Sequence, residues 1–261
     1  MGTDRDFMSR FAIISDIHSN LHALQAVFAR IDALGIRDVV CLGDVVGYGP
    51  NPGECVDLVL ERCPTIVRGN HDEGVLDRAS LADFNGVARS ALVWTRQTLA
   101  RRQIEHIARM PTVAHLCGAA MCVHDSPQPG TAAYVHDPRA AAIAFRGVEN
   151  AMCLLGHTHV PVSFETDSLF PDEPLTAKQV RARPLRDGDV VRLDPGCRYI
   201  LNPGAVGQPR DCDPRASFAV LDLNAGTFTV HRVEYDIAGA QHAMHVAGLP
   251  LLLAQRLAVG A

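Results

Sequence analysis

The sequence predicts an α/β domain: a mostly parallel sheet with helices on both faces, extended by antiparallel strands from the later part of the chain. Three observations predict it. The chain has 261 residues, the upper end of what one α/β domain holds, so a single domain over 1–261 is expected. Its core is expected over about 11–235, with a helical tail over 236–261. Short apolar β-type runs alternate with helical patterns through the first third of the chain, which argues parallel strands joined by crossover helices. From 162 to 202 the texture changes to Pro, Asp, Arg and Gly with alternating segments, which reads as antiparallel strands and loops.

Residues 1–10 are polar and mixed, a frayed start. FAIIS (11–15) is a buried strand that runs into Asp16 and His18. After Asn20, the residues Leu21, Leu24, Val27, Phe28, Ile31 and Leu34 recur at helical spacing until Gly35. DVVCLG (38–43) is a second strand, ending at Asp44. PGECVDLVLERC (52–63) is a helix with Pro52 in its first turn. TIVRG (65–69) is a third strand, ending at Asn70 and His71. Residues 73–110 are mostly helical in pattern, stopped by Pro111. Two strands with a Gly turn follow over 113–124, then a helix over 138–148 and a strand over 151–156. SFAVLDL and GTFTVHRVEY form a hairpin near the end, before the helical tail.

Composition narrows the function. The formal net charge is −5 and no basic run stands out, so the chain lacks the electrostatic footprint of a nucleic-acid binder. Neither a signal peptide nor an apolar run of membrane-spanning length is read in it, which leaves the cytoplasm as the expected location and no membrane partner. The eight cysteines form no CxxC pair and read as free thiols in a reducing compartment.

The chemistry lies in five polar clusters, each at the end of an expected strand: Asp16-Ile17-His18, Gly43-Asp44, Gly69-Asn70-His71-Asp72, His124 and Gly156-His157-Thr158-His159. In open α/β sheets ligands bind outside the carboxyl ends of the strands. An extended chain points residues i and i+2 to one side, so Asp16 and His18 can grip one ion, and His157 and His159 can face one pocket. The donors are oxygen and imidazole nitrogen, which suits transition metals better than calcium. Asp16, His18, Asp44, Asn70, His124, His157 and His159 are too many for one tetrahedral ion and point to two metals sharing a carboxylate. Gly43, Gly69 and Gly156 let the backbone pack close to the ions. Any one motif alone is weak; five in order are a strong signal. His22, His106, His115, His136, His231, His242 and His245 lack such context and read as surface or core histidines.

These motifs, D-x-H, GD, GNHD, a lone His and GHTH over residues 11–222, resemble the calcineurin-like metallophosphoesterase superfamily. LGDVVGYGPNP (42–52), HDSPQP (124–129) and LNPGAVGQPRDCDPRASFAVLD (201–222) resemble its small bacterial and archaeal phosphodiesterases of the YfcE/MJ0936 type. The resemblance implies a β-sandwich of two mixed sheets flanked by helices, with the metal site at the carboxyl ends of strands. It implies two metal ions drawn from Mn, Fe, Zn or Ni. Asp16, His18 and His159 would hold the first, Asn70, His124 and His157 the second, and Asp44 would bridge them. A hydroxide between the ions would attack phosphorus, His71 would protonate the leaving oxygen, and Asp72 would orient His71. The implied activity is phosphoesterase, with diesters favoured over monoesters and a small phosphate ester or nucleotide-like molecule as substrate; a homo-oligomer is compatible with it.

There are departures from the family pattern. GDVVGYG (43–49) stands where protein phosphatases carry GDxxDRG, which argues against that branch. Asp125 and Ala205 stand where many small relatives carry Gly and Ser. The rival readings are a non-catalytic scaffold of the same fold, which the intact His71 and ligand set oppose, and a nuclease branch, which the missing basic stripe opposes. Turn chemistry accounts for NPGAVGQPRD as well as a phosphate-binding loop with Arg210 does, and Tyr48 and Asn51 are candidates for the pocket wall.

Overall fold

The protein is described by a computed structural model over residues 9–77, 79–128, 134–169 and 174–261. The frayed start expected over 1–8 lies outside the described residues.

Two six-stranded sheets pack face to face. The first has the order β3 (Thr65–Ile66), β2 (Asp38–Cys41), β1 (Arg10–Ile14), β11 (Ala216–Asp222), β12 (Thr227–Val233) and β9 (Val190–Arg192). The second runs β4 (Val113–Leu116), β5 (Ala120–Val123), β6 (Met152–Leu154), β10 (Arg198–Asn202), β7 (Val162–Thr166) and β8 (Arg181–Pro184). β1, β2 and β3 are parallel, as are β5, β6 and β10. The first sheet carries antiparallel strands at its other edge, including the expected hairpin β11–β12, and the second carries them at both edges.

The local pattern suggested one sheet, whereas the molecule has the two-sheet sandwich implied by the family resemblance. The reason is visible in β1. Ala12 and Ile14 pack on the helices, with Leu24, Val27, Phe28, Val56 and Ile107. Phe11 and Ile13 pack on the opposite sheet, with Cys122, Leu154, Tyr199 and Leu201. A strand buried on both faces reads as one continuous apolar run whether its second face meets a helix or another sheet. The outer face of the second sheet closes on α6 (Pro138–Ala144) through Cys153, Phe164, Ile200, Ala141 and Phe145.

α1 (Leu21–Ala33) and α2 (Pro52–Arg62) lie where the periodicity placed them. The stretch expected to be mostly helical divides into α3 (Asn70–Gly74), a 3-10 turn at Ser80–Asp83, α4 (Gly86–Thr98) and α5 (Arg101–Arg109). Asn85 starts α4 by accepting from the backbone N–H of Val87 and Ala88. The tail forms α7 (Ile237–Val246) and α8 (Leu251–Leu257), broken at Gly248 and Pro250. These last helices pack through Ala240, Met244, Leu253 and Leu257 against Tyr48, Ala88 and Ala91. The tail is therefore part of the wall around Tyr48, and not a loose extension.

Candidate metal centre

The carboxyl ends of β1, β2, β5 and β6 meet at one edge of the sandwich. Backbone bonds tie them: Asp16 N–H donates to Gly43 O at 3.1 Å, and Gly156 N–H to His124 O at 2.9 Å. His157 N–H donates to the Asp16 carboxylate, with the nearer oxygen at 3.0 Å, which joins the first sheet to the second. The glycines matter here for space. A Cβ on Gly69 would collide with Asp44, and one on Gly156 with Ser15 and Asp16.

Asp16, His18, Asp44, His124, His157 and His159 are all buried. Three groups of ligand atoms lie within 4.8 Å of one another: Asp16, His18 and His159; His18, Asp44 and His71; Asp44, His124 and His157. His159 Nε2 is 3.3 Å from Asp16 Oδ1. Asp44 Oδ2 is 3.6 Å from His18 Nε2 and 3.1 Å from His124 Nε2, so this one carboxylate belongs to two groups. Asn70 brings a buried Oδ1 that has no hydrogen-bond donor. The remaining histidines, including His22, His106 and His231, join none of these groups among the described residues.

The imidazoles are oriented from behind. His18 Nδ1 donates to Val46 O at 3.2 Å, His124 Nδ1 to Leu42 O at 2.8 Å, and His159 Nδ1 to Gln208 O at 2.6 Å. A carbonyl only accepts, so each Nδ1 carries a proton, and in His18 and His159 the Nε2 lone pair faces the cluster. His18 Nε2 and His159 Nε2 are 3.1 Å apart. Two lone pairs at that separation repel unless a cation lies between or beside them. This donor set fits a metal and has no other buried use.

Charge tells the same story. Burial pushes the His18 and His159 imidazoles well below their usual range and His157 down to about 3, so they are neutral and ready to ligate at neutral pH. Burial alone would raise the Asp44 carboxyl, but the imidazoles of His124, His71 and His18 outweigh it and hold it well below the usual carboxylate range. His124 goes the other way: burial is overcome by the Asp44 carboxylate, which lifts it to about 10. A proton on its Nε2 then does part of what a cation would do.

The backbone here is unusual in a way the sequence pattern did not signal. Among the described residues, every non-glycine residue with positive φ except Cys117 and Cys212 is at this site: Asp16, His18, Ser19, Asp44, Tyr48, His157 and His159. The expectation that an extended chain points i and i+2 the same way is therefore corrected. Asp16 and His18 converge because both are left-handed, with φ of 54° and 49°. Such strain persists only where surrounding structure holds it, and it clusters at functional sites.

His71 is 4% exposed and lies between the rings of Tyr48, at 4.5 Å, and Phe84, at 4.9 Å. Its backbone N–H donates to Asp44 Oδ1 at 2.8 Å, and its Nδ1 has no partner. Burial lowers the ring to about 4. Asp72 accepts from two backbone N–H groups, Val46 at 3.1 Å and Gly69 at 3.0 Å, and so holds the turn rather than the ring. A cavity of about 740 Å³ opens over the cluster, lined among others by Tyr48, His71, Phe84, His124, Asp125, Tyr134 and His157. Tyr134 stacks on His157 at 4.0 Å. The sequence reading missed Phe84 and Tyr134, since no local pattern relates them to the strand ends. Arg68 also lines the cavity, and it pairs with Glu73 at 2.7 Å. Asn51 does not line it; its amide donates to Glu54 at 3.4 Å. In the loop that follows β10, Gly207 N–H donates to Asp16 O at 2.9 Å, and Ala205 is fully buried.

The family model of the calcineurin-like phosphoesterase superfamily domain matches residues 9–226. The chain belongs to this superfamily. Within it, the chain is 35% identical over 258 residues to the uncharacterized protein MJ0912 of Methanocaldococcus jannaschii, covering 97% of this chain and 98% of that one. A crystal structure of a metallophosphoesterase from Sphaerobacter thermophilus superposes with TM-score 0.84 at 43% identity, covering 97% and 99% of the two chains. The hypothetical protein PH1004 of Pyrococcus horikoshii shares the fold, with TM-score 0.72 at 18% identity over 97% and 98%. This phosphoesterase-family chain therefore carries the superfamily's two-sheet fold and His/Asp groups able to bind metal. No helix among its described residues is long and apolar enough to cross a membrane.

Proposed function

We propose that this chain is a dinuclear-metal phosphoesterase that hydrolyses small, nucleotide-like phosphodiesters in preference to monoesters. The observation that carries the reading is that Asp44 is shared by the His18–Asp44–His71 and Asp44–His124–His157 groups, and His18 joins the first of these to Asp16 and His159. Asp16, His18 and His159 would hold one ion; Asn70, His124 and His157 the other; Asp44 would bridge. Mn, Fe, Zn or Ni suits this nitrogen and oxygen set. Two such cations, when bound, lower the pKa of water and neutralise charge on a phosphoryl group between them.

The chain's own residues do the rest. His71 faces the cavity beside Asp44 and donates a proton to the leaving oxygen. Burial keeps its ring neutral, and the negative charge of an incoming phosphate raises it again. Asp72 holds the backbone of Val46 and Gly69 and so fixes where His71 emerges. The faces of Tyr134 and Phe84 offer stacking surface for the two organic arms of a diester. The free cysteines, six of them buried, fit a reducing, cytoplasmic setting.

The test compares bis-p-nitrophenyl phosphate with p-nitrophenyl phosphate, using metal-stripped protein and protein reloaded with Mn or Zn, alongside metal analysis. Turnover restored by metal, with two ions per chain and the diester faster, is expected. Inert protein at full metal loading ends the proposal.

A further inference from the structure

A second cavity adjoins the one over the metal centre, and the hydrolytic reading does not use it. It holds about 440 Å³ and is walled chiefly by Tyr48, Asn85, Val87, Leu252, Leu253 and Arg256. Tyr48 and Asn85 also line the main cavity, so these two residues form the partition between the spaces. The first turn of α4 serves both: Ala88 lines the main cavity and Val87 the second. Asn85 spends its side-chain oxygen on the N–H groups of Val87 and Ala88, and Arg256 spends its Nε on the carbonyl of Ala261. What remains of the wall is mainly apolar. Leu252 is 54% exposed and its neighbour Leu251 55%, on a helix whose Leu253 is fully buried. Exposed apolar residues scattered singly are ordinary, but adjacent ones at the mouth of a cavity point to a ligand.

We infer that this second cavity is a subsite for a linear apolar chain carried by the leaving alcohol of the diester. The inference rests on the phosphoesterase reading and adds the substrate class: phosphodiesters that join a nucleotide-like head to an alkyl alcohol. His71 supplies the direction. The alcohol that takes its proton lies beside its ring, and Tyr48 packs on that ring at 4.5 Å while Phe84 meets it at 4.9 Å. An arm leaving His71 therefore runs along Phe84 and Tyr48 and reaches Asn85, which opens onto Val87 and Leu252. Tyr48, Val87 and Leu253 belong to one packed apolar cluster, so these walls are fixed by the core, while Leu252 stays open to the entering chain. Each methylene moved from water onto such a wall is worth about fourfold in affinity.

The test uses the purified full chain in Mn and two synthetic diesters, thymidine 5′-hexyl phosphate and thymidine 5′-methyl phosphate. Hydrolysis adds water across the P–O bond to the alcohol and gives thymidine 5′-phosphate with hexanol or methanol, which chromatography follows. The parent is expected to turn over the hexyl ester with kcat/KM at least tenfold above that of the methyl ester, the gain lying in KM. Leu252→Asn, at an exposed position, is expected to bring that ratio to about one, and Leu252→Met to keep it. A ratio near one in the parent, a ratio that survives Leu252→Asn, or release of thymidine with hexyl phosphate overturns the inference. So does a concentration-dependent dimer that Leu252→Asn abolishes in the absence of any alkyl preference, which would give the face to a second copy of the chain. Calorimetry with the same two esters reads binding apart from turnover. A chain that binds the hexyl ester selectively through Leu252 yet hydrolyses neither keeps the apolar subsite and removes the phosphoesterase reading; one that hydrolyses both equally keeps that reading and removes the subsite.

Discussion

At the scale of single residues, the centre depends on charges that neutralise one another only when a cation is present. Asp44→Asn keeps the shape but removes the shared charge between His18 and His124. We expect metal content and activity to fall together, by more than the roughly 10–100-fold that outer partners of a metal ligand contribute. Retained stoichiometric metal would show that Asp44 does not bridge. His71→Ala should act differently: metal stays, and turnover of alkyl phosphate esters falls by about 10²–10⁴-fold, the usual contribution of a general acid. Activated phenolate esters, which leave without a proton, should suffer least. If alkyl and nitrophenyl esters lose equally, His71 acts as a metal ligand beside His18 and Asp44, a placement its position also permits. Gly69→Ala tests the close approach of backbone to ligand, since the new methyl would strike the Asp44 carboxylate. Its expected signature is weakened metal affinity in a chain that still folds.

At the scale of elements, loops rather than sheets hold the ligands, and helix ends hold the loops. Asn20 is the example. Its Oδ1 caps α1 by accepting from Ala23 N–H at 3.1 Å, and its amide donates to Gly207 O at 2.9 Å. One buried side chain thus joins the start of a helix to the loop whose Gln208 carbonyl orients His159. Asn20→Ala should cost about 2 kcal/mol in urea unfolding, from the lost cap and the orphaned carbonyl together. A loss below a few tenths would mean that water or a neighbour replaces both bonds. The positive-φ residues belong to the same scale: the strands end, and each chain turns left-handed as it delivers a ligand.

For the whole molecule, the buried imidazoles link stability to pH. In the metal-free fold four of them, His18, His71, His157 and His159, are depressed below 6.5. The unfolded chain takes up protons there that the folded chain refuses, so their contribution is full above pH 6.5 and is lost as pH falls. Burial raises the Asp16 and Asp72 carboxyls, which works in the opposite sense but with two groups against four. His124, raised to about 10, adds stability that is complete below 6.5 and lost as pH climbs through that value. The stripped protein should therefore melt highest near neutral pH and lose Tm on both sides, as scanning calorimetry across pH 4.5–10 can check. Adding Mn or Zn at pH 7 should raise Tm, because the ions bind the folded site alone. A flat pH profile would mean that these side chains do not meet in the folded chain.

Much of this was legible beforehand. The order of strands and helices and the polar residues ending five strands followed from periodicity and from motifs, because each is a local property of the chain. The motifs contain Asp16, His18, Asp44, His71, His124, His157 and His159, whose ligand atoms lie close together. Local pattern left open what faces the second side of each strand, and the two-sheet layering came from resemblance until the packing of Phe11 and Ile13 against Leu154 and Leu201 showed it. It also misjudged how Asp16 and His18 come together, since φ is set by the hydrogen bonds of neighbouring loops and not by residue type. Tyr134 and Phe84 carry no signal of their own. They matter because distant segments bring them beside His157 and His71, and distance along a chain says nothing of distance in space until the core has closed.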